Sequence, residues 1–195
     1  NIISRTSSAS TYWYAIYRYY TNGDVIGNRV HQRTTGINYP YGLYTYYHGY
    51  YNNTSNKQYL IANNEVDVYT TSTYYGIGTG YSKVDIINNS IRVAGSGQGR
   101  GIYIQDASNN LINVYNNIVD MEAGHPIYIS AASYINLIKA DYNNYSGPYF
   151  GYAANAYTSQ STWQTMLQLD SHSISITPVY ANNTGLETSN YGNYF

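Results

Sequence analysis

The sequence has no cysteine and few charged residues, and both absences exclude classes of protein. Without cysteine, neither disulfide bonds nor thiolate metal sites can form. Only 10% of the 195 residues are charged and the formal net charge is -1, whereas a nucleic-acid surface needs clustered Lys and Arg. The ten acidic residues are dispersed and none lies in a calcium-binding loop. The composition therefore predicts no nucleic-acid partner, no metal site and no cofactor.

Long apolar runs are also missing, because none approaches the ~18 residues that a membrane span needs. We therefore predict no membrane span. The abundant residue is tyrosine, with 29 copies against two Phe and two Trp. A ring with a polar tip suits outward columns on a sheet surface that is both apolar and wet.

A repeat organises the chain. An apolar residue, an Asn pair and then alternating apolar and polar residues occur at 61–68, 86–93 and 114–121, with a weaker copy at 25–31. Counting partial copies at both ends, the second Asn falls at positions 1, 28, 64, 89, 117 and 144, which are 27, 36, 25, 28 and 27 residues apart. Such a period, with strand-like alternation inside each copy, is typical of a solenoid.

Each repeat divides into three short strand-like segments. The first follows the Asn pair and alternates apolar residues such as Val66 and Val68. The second has a small residue or Pro before an aliphatic residue at position 16, 43, 77, 102 or 127, and the third leads to the next Asn pair. The sequence thus predicts an all-β fold: a right-handed, single-stranded parallel β-helix with three short sheets and coils of about 25–28 residues.

The predicted β-helix coils occupy residues 1–160. A loop insertion at 46–57 accounts for the 36-residue spacing. The first coil is truncated at residue 1, so we expect further β-helix coils, or another protein chain, to precede it. Residues 161–195 are predicted to form a C-terminal cap with a short helix, a final strand at 173–180 and a tail.

The cap helix is expected to begin at Ser161 or Thr162 and to present one apolar stripe from Trp163, Met166 and Leu167. An open solenoid end exposes its aliphatic core and unpaired strand edges. Trp163 is therefore predicted to cover the C-terminal end of the core.

The repeated Asn at the corner is predicted to be structural. Equivalent side chains of stacked coils lie ~4.8 Å apart, so their amides can form a ladder that satisfies backbone groups of the turn. The residues assigned this role are Asn63, Asn88, Asn116 and Asn143.

Two sets of residues carry a family resemblance. The Asn-Asn-aliphatic repeats, with Gly-Ile-Tyr-Ile at 101–104, resemble the right-handed parallel β-helix repeats of the pectate-lyase-like superfamily. Residues 141–145, Trp163, residues 170–174 and Pro178 resemble the closing coil of β-helix domains in large secreted and surface proteins of gliding, polysaccharide-degrading bacteria. The resemblance covers nearly all of the chain and is strongest from about residue 60 onward.

The resemblance implies the β-helix fold and an extracellular or cell-surface location, with type 9 secretion as one route of export. It does not imply an activity, because this fold hosts lyases, glycosidases, tailspikes, adhesins and passive stalks.

Enzymes of this fold place their catalytic groups on one outward sheet, and the best candidates here are Asp67, Arg92 and Asp120, with His31 before them. Each follows an inward aliphatic residue. Their charges alternate from coil to coil, as in a structural ion-pair ladder, because like charges in one column would repel. The sequence therefore favours a non-catalytic column.

Two further groups are weaker candidates. One combines Asp106 with Asp85 and Lys83, and the other is Gly124-His125-Pro126, in which Pro126 stands where hydrolases of this fold carry a second Gly.

The tyrosines are the remaining functional signal. One outward column is predicted to contain Tyr17, Tyr44, Tyr103 and Tyr128, with Tyr19 and Tyr46 beside it. These rings form either an aromatic ladder that stabilises the coils or a strip that binds a polysaccharide or another protein chain.

Our first hypothesis is a non-catalytic structural and adhesive segment of a secreted or cell-surface β-helix protein, either an adhesin shaft or a filament subunit. The alternatives are a carbohydrate-active enzyme, either a polysaccharide lyase or a glycosidase, and a glycan-binding module.

Overall fold

The computed structural model describes residues 1–5, 12–33, 39–49, 57–69, 71–107 and 110–180. The chain winds into a parallel β-solenoid of about five turns with three sheets and one short α-helix. The predicted fold class is confirmed. Most of the predicted insertion, residues 50–56, and the tail at 181–195 lie outside the described residues.

The strands fall into three sheets. Sheet A follows the Asn corner and contains β1 (Ile2–Arg5), β4 (Arg29–Gln32), β7 (Glu65–Tyr69), β10 (Ser90–Ala94), β13 (Ile118–Met121) and β16 (Asn144–Ser146). Sheet B contains β2 (Trp13–Tyr19), β5 (Pro40–Tyr46), β8 (Tyr74–Gly80), β11 (Gly99–Asp106), β14 (His125–Ile129), β17 (Gly151–Ala153) and the antiparallel β18 (Asn155–Tyr157). Sheet C leads to the next corner through β3 (Val25–Ile26), β6 (Tyr59–Ala62), β9 (Val84–Ile87), β12 (Ile112–Tyr115) and β15 (Ile138–Asp141).

The core consists of aliphatic columns that run along the solenoid. In sheet A, Val30, Val66, Ile91 and Val119 are partners in adjacent strands, and all four are fully buried. In sheet B, Leu43, Ile77, Ile102 and Ile127 form the equivalent buried column. The alternation in the sequence places these residues inward because successive side chains of a strand point to opposite faces.

A buried amide ladder occupies the corner between sheets C and A. The side-chain Oδ1 of Asn89 accepts hydrogen bonds from the backbone N and the Nδ2 of Asn64, both at 3.0 Å. Its own Nδ2 donates to Asn117 Oδ1 at 3.0 Å and to the Ile61 carbonyl at 2.8 Å. The same pattern links Asn28 to Asn64, and Asn117 to Asn143.

The predicted assignment of the ladder was wrong for three of its four residues. Asn63, Asn88 and Asn116 are exposed and hold the left-handed conformation of the turn, with φ of 54°, 55° and 55°. The buried ladder residue is the one that follows, because only that position points toward the core. Asparagine suits both places, since it tolerates φ > 0 and its amide is both donor and acceptor.

In the last repeat the ladder residue is Asn143, as assigned. The second Asn of this pair, Asn144, which was used to measure the repeat spacing, is therefore one residue beyond the ladder position. Asn144 lies in β16 opposite Ile118, while Tyr142 takes the left-handed position with φ 57°. The Asn pair has shifted by one residue relative to the coil.

The C-terminal end of the core is covered by helix α1 (Gln160–Leu167). Trp163 is fully buried, and its Nε1 donates to Asp170 Oδ2 at 2.9 Å. Asp170 Oδ1 accepts from Asn143 Nδ2 at 3.0 Å and from Ser173 Oγ at 2.7 Å. One buried carboxylate therefore joins the last rung of the ladder to the cap.

Two details of the predicted cap were wrong. The N-cap is Ser159, whose Oγ accepts from the backbone N of Thr162 at 3.2 Å. Of the expected apolar stripe, Met166 is 66% exposed, because only the Trp163 side of this short helix meets the core. Among the described residues, no helix is long and apolar enough to cross a membrane.

The predicted final strand at 173–180 was also wrong. Ile174 makes one bridge to Asn144, and the segment then runs across sheet A instead of along it. Ile176 N donates to Asn144 Oδ1 at 2.9 Å in β16, and Tyr180 Oη donates to Asp120 Oδ2 at 3.1 Å in β13. We call residues 174–180 the strap.

The ladder predicts very different costs for neighbouring asparagines. Asn89→Ala removes four buried hydrogen bonds and leaves Asn64 N–H without its acceptor, so we expect the free energy of unfolding to fall by about 3 kcal/mol. Asn88→Gly keeps the left-handed turn and should change the free energy of unfolding by less than about 0.5 kcal/mol. Urea-induced unfolding measures both values, and equal losses would contradict the ladder's role.

Candidate interaction face on the tyrosine-rich sheet

The outward side of sheet B carries columns of stacked tyrosines. The first column contains Tyr14, Tyr41 and Tyr75, which are partners in adjacent strands. Their ring centroids lie 4.4 and 4.3 Å apart, with interplanar angles of 16° and 15°. This is the offset-stacked geometry that aromatic pairs prefer.

A second column runs through the middle of the sheet. The strand register aligns Tyr17 with Tyr44, and Tyr103 with Tyr128 and Tyr152, with Gly78 between the two groups. The Tyr128 and Tyr152 rings stack at 4.2 Å. The four tyrosines that the sequence assigned to one column thus share it, interrupted by one glycine.

Tyr44 fills the interruption. A Cβ at position 78 would lie 2.4 Å from Tyr44 Cδ2, so the ring occupies the space that a side chain would take. The Tyr44 hydroxyl donates to Gln105 Oε1 in β11, two strands further along the sheet. Only 7% of Tyr44 is exposed, so this ring joins the second coil to the fourth.

Tyr19 and Tyr46 form a third, shorter column that ends at Gly80. At the adjacent corner Tyr20, Tyr47 and Tyr81 all have left-handed φ, of 50°, 52° and 52°, and their rings stack at 4.7 Å in both steps. These four sets of rings form a surface that we call the tyrosine face, made up of Tyr14, Tyr17, Tyr19, Tyr20, Tyr41, Tyr44, Tyr46, Tyr47, Tyr75, Tyr81, Tyr103, Tyr128 and Tyr152.

Arg100 lies in the tyrosine face at the start of β11. Its Cζ is 3.9 Å from the ring centroid of Tyr128, 4.4 Å from that of Tyr103 and 5.1 Å from that of Tyr75. Three rings therefore hold the guanidinium by cation–π contact. At the other end of the same strand, Asp106 accepts a hydrogen bond from the Tyr81 phenol, and this raises the pKa of Tyr81 to about 12.

Two phenols at the centre of the face, those of Tyr41 and Tyr44, are uncharged at neutral pH. Burial, followed by repulsion from neighbouring phenols, raises the pKa of Tyr41 and of Tyr44 well above the ordinary value. Tyr17 and Tyr19 are each 49% exposed. The face thus offers aromatic rings together with hydroxyl groups.

His125, from the weak Gly124-His125-Pro126 candidate, packs within the aromatic surface. Its ring centroid lies 4.5 Å from that of Tyr149 and 5.3 Å from that of Tyr152. Burial and then the charge of Arg100 lower the pKa of His125, opposed by a backbone hydrogen bond to Gly151. The neutral imidazole therefore belongs to the packed rings.

The charged column on sheet A has the predicted register, with His31, Asp67, Arg92 and Asp120 as successive strand partners. Asp67 is 1% exposed and makes a two-point ion pair with Arg33, at 2.8 Å from Nε and 2.7 Å from Nη2. His31 Nδ1 lies 3.2 Å from the same carboxylate. The Asp67 carboxylate is thus paired with Arg33, which directly follows β4 of sheet A.

The strap covers the other half of this column. Tyr180 donates to Asp120, and its ring centroid lies 5.2 Å from Arg92 Cζ. Burial raises the pKa of Asp120, although hydrogen bonds from Ser146 and Tyr180 and the charge of Arg92 act in the opposite direction. The sequence had no signal for this cover, because the contact joins residues 60 positions apart.

The group of Lys83, Asp85 and Asp106 does not assemble into one site. Asp85 points outward from sheet C and accepts from Asn113 Nδ2 at 2.7 Å, whereas Asp106 ends a strand of sheet B. Among the described residues, no group of three or more acidic or His residues could hold a metal ion.

Ser171, His172 and Asp141 lie together near the cap, but not in the order of a catalytic triad. The same His172 Nδ1 meets Asp141 Oδ2 at 2.7 Å and Ser171 Oγ at 3.1 Å, whereas a triad uses the two ring nitrogens for separate partners. Asp141 Oδ1 also accepts from the backbone N of Tyr142 and of His172. This carboxylate fixes the loop.

Comparison with known proteins adds no family to the class of parallel β-solenoid. No protein-family model matches the chain, and no significant match was found among curated proteins or solved structures.

Sequence reasoning missed Tyr14, Tyr41, Tyr75 and Arg100. The signal was the spacing of Tyr at 14, 17 and 20 and again at 41, 44 and 47. Strict alternation would place residues three apart on opposite sides of the strand. In β5, however, Gly42 and Leu43 are both buried between Tyr41 and Tyr44. Tyr44 therefore returns to the same side of the sheet as Tyr41.

The contact between Tyr44 and Gly78 predicts strong coupling. Gly78→Ala places a methyl group against the ring, so we expect a loss of about 2 kcal/mol in the free energy of unfolding. In a Tyr44→Ala background the same change should cost less than about 0.5 kcal/mol. A double-mutant cycle by urea unfolding measures the coupling, and additive effects would show that the ring does not lie on Gly78.

Asp120 and Asp141 are expected to give pH dependences of opposite sign. Burial raises the pKa of Asp120 in the folded state above the ordinary value of 3.8, so the folded state binds this proton more tightly than the unfolded state. As pH rises from 3.8 through the raised pKa, Asp120 therefore lowers the free energy of unfolding. The pKa of Asp141 is lowered because hydrogen bonds from His172, Tyr142 and Ser171 outweigh burial, so its contribution is lost as pH falls from 3.8 through the lowered pKa.

Urea unfolding over a pH series tests this pair. Asp120→Asn should remove a decrease in stability with rising pH, and Asp141→Asn should remove an increase. Changes of the same sign in the two variants would refute the assignment.

Proposed function

We propose that this chain is a non-catalytic structural and adhesive β-solenoid, and that the tyrosine face is its interaction surface. The observation that carries the proposal is the set of tyrosine columns on the outward side of sheet B, supported beneath by fully buried aliphatic columns. Rigid aromatic side chains lose little conformational entropy on binding, and Tyr is enriched in protein interfaces.

The resemblance to closing coils of secreted and surface β-helix proteins supports an extracellular or cell-surface location, as an adhesin shaft or filament subunit of a bacterium. The absence of cysteine is compatible with this location and gives it no separate support. Polysaccharide and another protein chain are the two partner classes that fit flat rings with hydroxyl groups.

The non-catalytic assignment rests on what the best catalytic candidates already do. Asp67 is paired with Arg33, and Tyr180 contacts both Asp120 and Arg92. Inverting or retaining glycoside hydrolysis needs two carboxyl groups flanking one bond, but Asp67 and Asp120 lie two strands apart with Arg92 between them.

Incubation with a panel of acidic and neutral polysaccharides tests this assignment. We expect no shortening of any polymer beyond that produced by the Asp67→Asn, Asp120→Asn double variant, as measured by release of reducing ends and of unsaturated products. Cleavage by the native protein that disappears in the double variant would establish the alternative, a polysaccharide lyase or glycosidase.

A glycan-binding module is the second candidate, favoured by the half-exposed rings of Tyr17 and Tyr19. If it is correct, the Tyr17→Ala, Tyr19→Ala double variant should lose at least roughly tenfold in affinity for the glycan bound on an array, because each stacked ring contributes ~1 kcal/mol or more. Tyr115→Ala, on sheet C, is the matched control. Equal binding by the native protein and both variants would show that the Tyr17 and Tyr19 rings do not bind the glycan.

A further inference from the structure

We propose that the partner of the tyrosine face is the tyrosine face of a second copy of this chain. In this dimer the two solenoids point in the same direction and the strands of the two B sheets run antiparallel. The inference rests on the proposed function, since it takes the tyrosine face as an interaction surface and names its occupant.

The face is symmetrical about its middle column in the first two coils. There the middle tyrosine, Tyr17 or Tyr44, lies between the first column at 14 and 41 and the third column at 19 and 46, with neighbouring ring centroids 4.9 to 6.2 Å apart. A twofold axis along the middle column therefore places the first-column rings of each copy opposite the third-column rings of the other.

The face also carries opposite charges on the two sides of its middle column. In the fourth coil Arg100 lies in the first column as the partner of Tyr75, and Asp106 lies in the third column as the partner of Gly80. The same axis places Arg100 of each copy opposite Asp106 of the other, so two ion pairs form at the rims of the interface. Interfaces are commonly arranged so that opposite charges meet in this way.

Charge also selects between the two possible face-to-face arrangements. A twofold axis parallel to the strands would bring Arg100 to the same rim as its equivalent, and Asp106 to the other rim with its equivalent. An axis parallel to the solenoid separates like charges and pairs unlike ones. Only the second arrangement pairs Arg100 with Asp106 at both rims. It is isologous, as homodimers commonly are.

The available area is sufficient for a specific contact. The four longest strands of sheet B have seven or eight residues. With the five-residue β14, these strands at ~4.8 Å spacing and ~3.3 Å per residue give a footprint of roughly 520 Å² per copy, or about 1,000 Å² for the two copies together. This reaches the ~1,000 Å² expected of a biological interface.

The chemistry of the face suits a second copy. The Tyr41 and Tyr44 phenols are neutral at physiological pH because burial raises their pKa, so they bring no charge repulsion to the contact. Arg100 is held on three rings, and this restricts its side chain before association. Less ordering is then required when the interface forms.

Sedimentation analysis over a concentration series tests the dimer by charge reversal. We expect the native chain to dimerise reversibly, and Arg100→Glu or Asp106→Arg alone to weaken self-association at least roughly tenfold, because each brings like charges together at both rims. The double variant should recover to within about threefold of native.

An equimolar mixture of the two single variants provides a second test that does not depend on the double variant folding. Each reversed charge then faces a reversed charge, so the mixture should associate more tightly than either variant alone. Lys139→Glu, an exposed change on sheet C, is the control and should leave the dimer unchanged. Thermal unfolding followed by circular dichroism verifies that each variant is folded.

Three outcomes would overturn the dimer: a native chain that is monomeric at every concentration, single reversals without effect, or folded reversals that neither the double variant nor the mixture rescues. If the native chain is monomeric but binds a glycan through Tyr17 and Tyr19, the dimer is refuted and the interaction face stands. If both self-association and glycan binding are absent, the proposed role of the face is refuted as well.

Discussion

The buried asparagine ladder is the constraint on which the rest of the structure depends. Each rung satisfies the amide and backbone groups of its neighbours, and a shift of one residue would leave several buried polar groups unpaired. The coils are therefore locked in one register at the corner. Because all three strands of a coil follow from that corner, the same register extends to the outward face of every sheet, and the ladder ends in Asp170, which also holds the cap.

A fixed register turns a sequence period into surface columns, and this is why so much could be predicted from the sequence. Val66, Ile91 and Val119 were assigned to the core from alternation alone, and they are fully buried strand partners. The charged column and the middle tyrosine column followed from the same count. These features belong to the repeat, so several copies of one pattern in the chain support the same assignment.

The predictions that were wrong concern positions at which the repeat gives no information. Which Asn of each pair points inward depends on the left-handed φ of the other, and two identical residues cannot show this difference. The strap departs from the period altogether, because its alternating residues meet sheet A at an angle and their partners are set by Asn144 and Asp120. In the cap, Met166 has the spacing of a buried residue but lies beyond the edge of the small core that Trp163 fills.

In-register stacking also explains the unusual composition. A column at ~4.8 Å spacing penalises any side chain that repels its own copy, so charges survive only where signs alternate or a polar residue intervenes. Arg29 pairs with Glu65 at 2.7 Å, and Arg92 lies between Asp67 and Asp120. Asparagine and tyrosine are self-complementary, one through its amide and the other through its ring, and can repeat without this cost. In the proposed dimer, Arg100 and Asp106 at opposite ends of one strand give the face a charge direction, and this direction determines how the two copies are oriented.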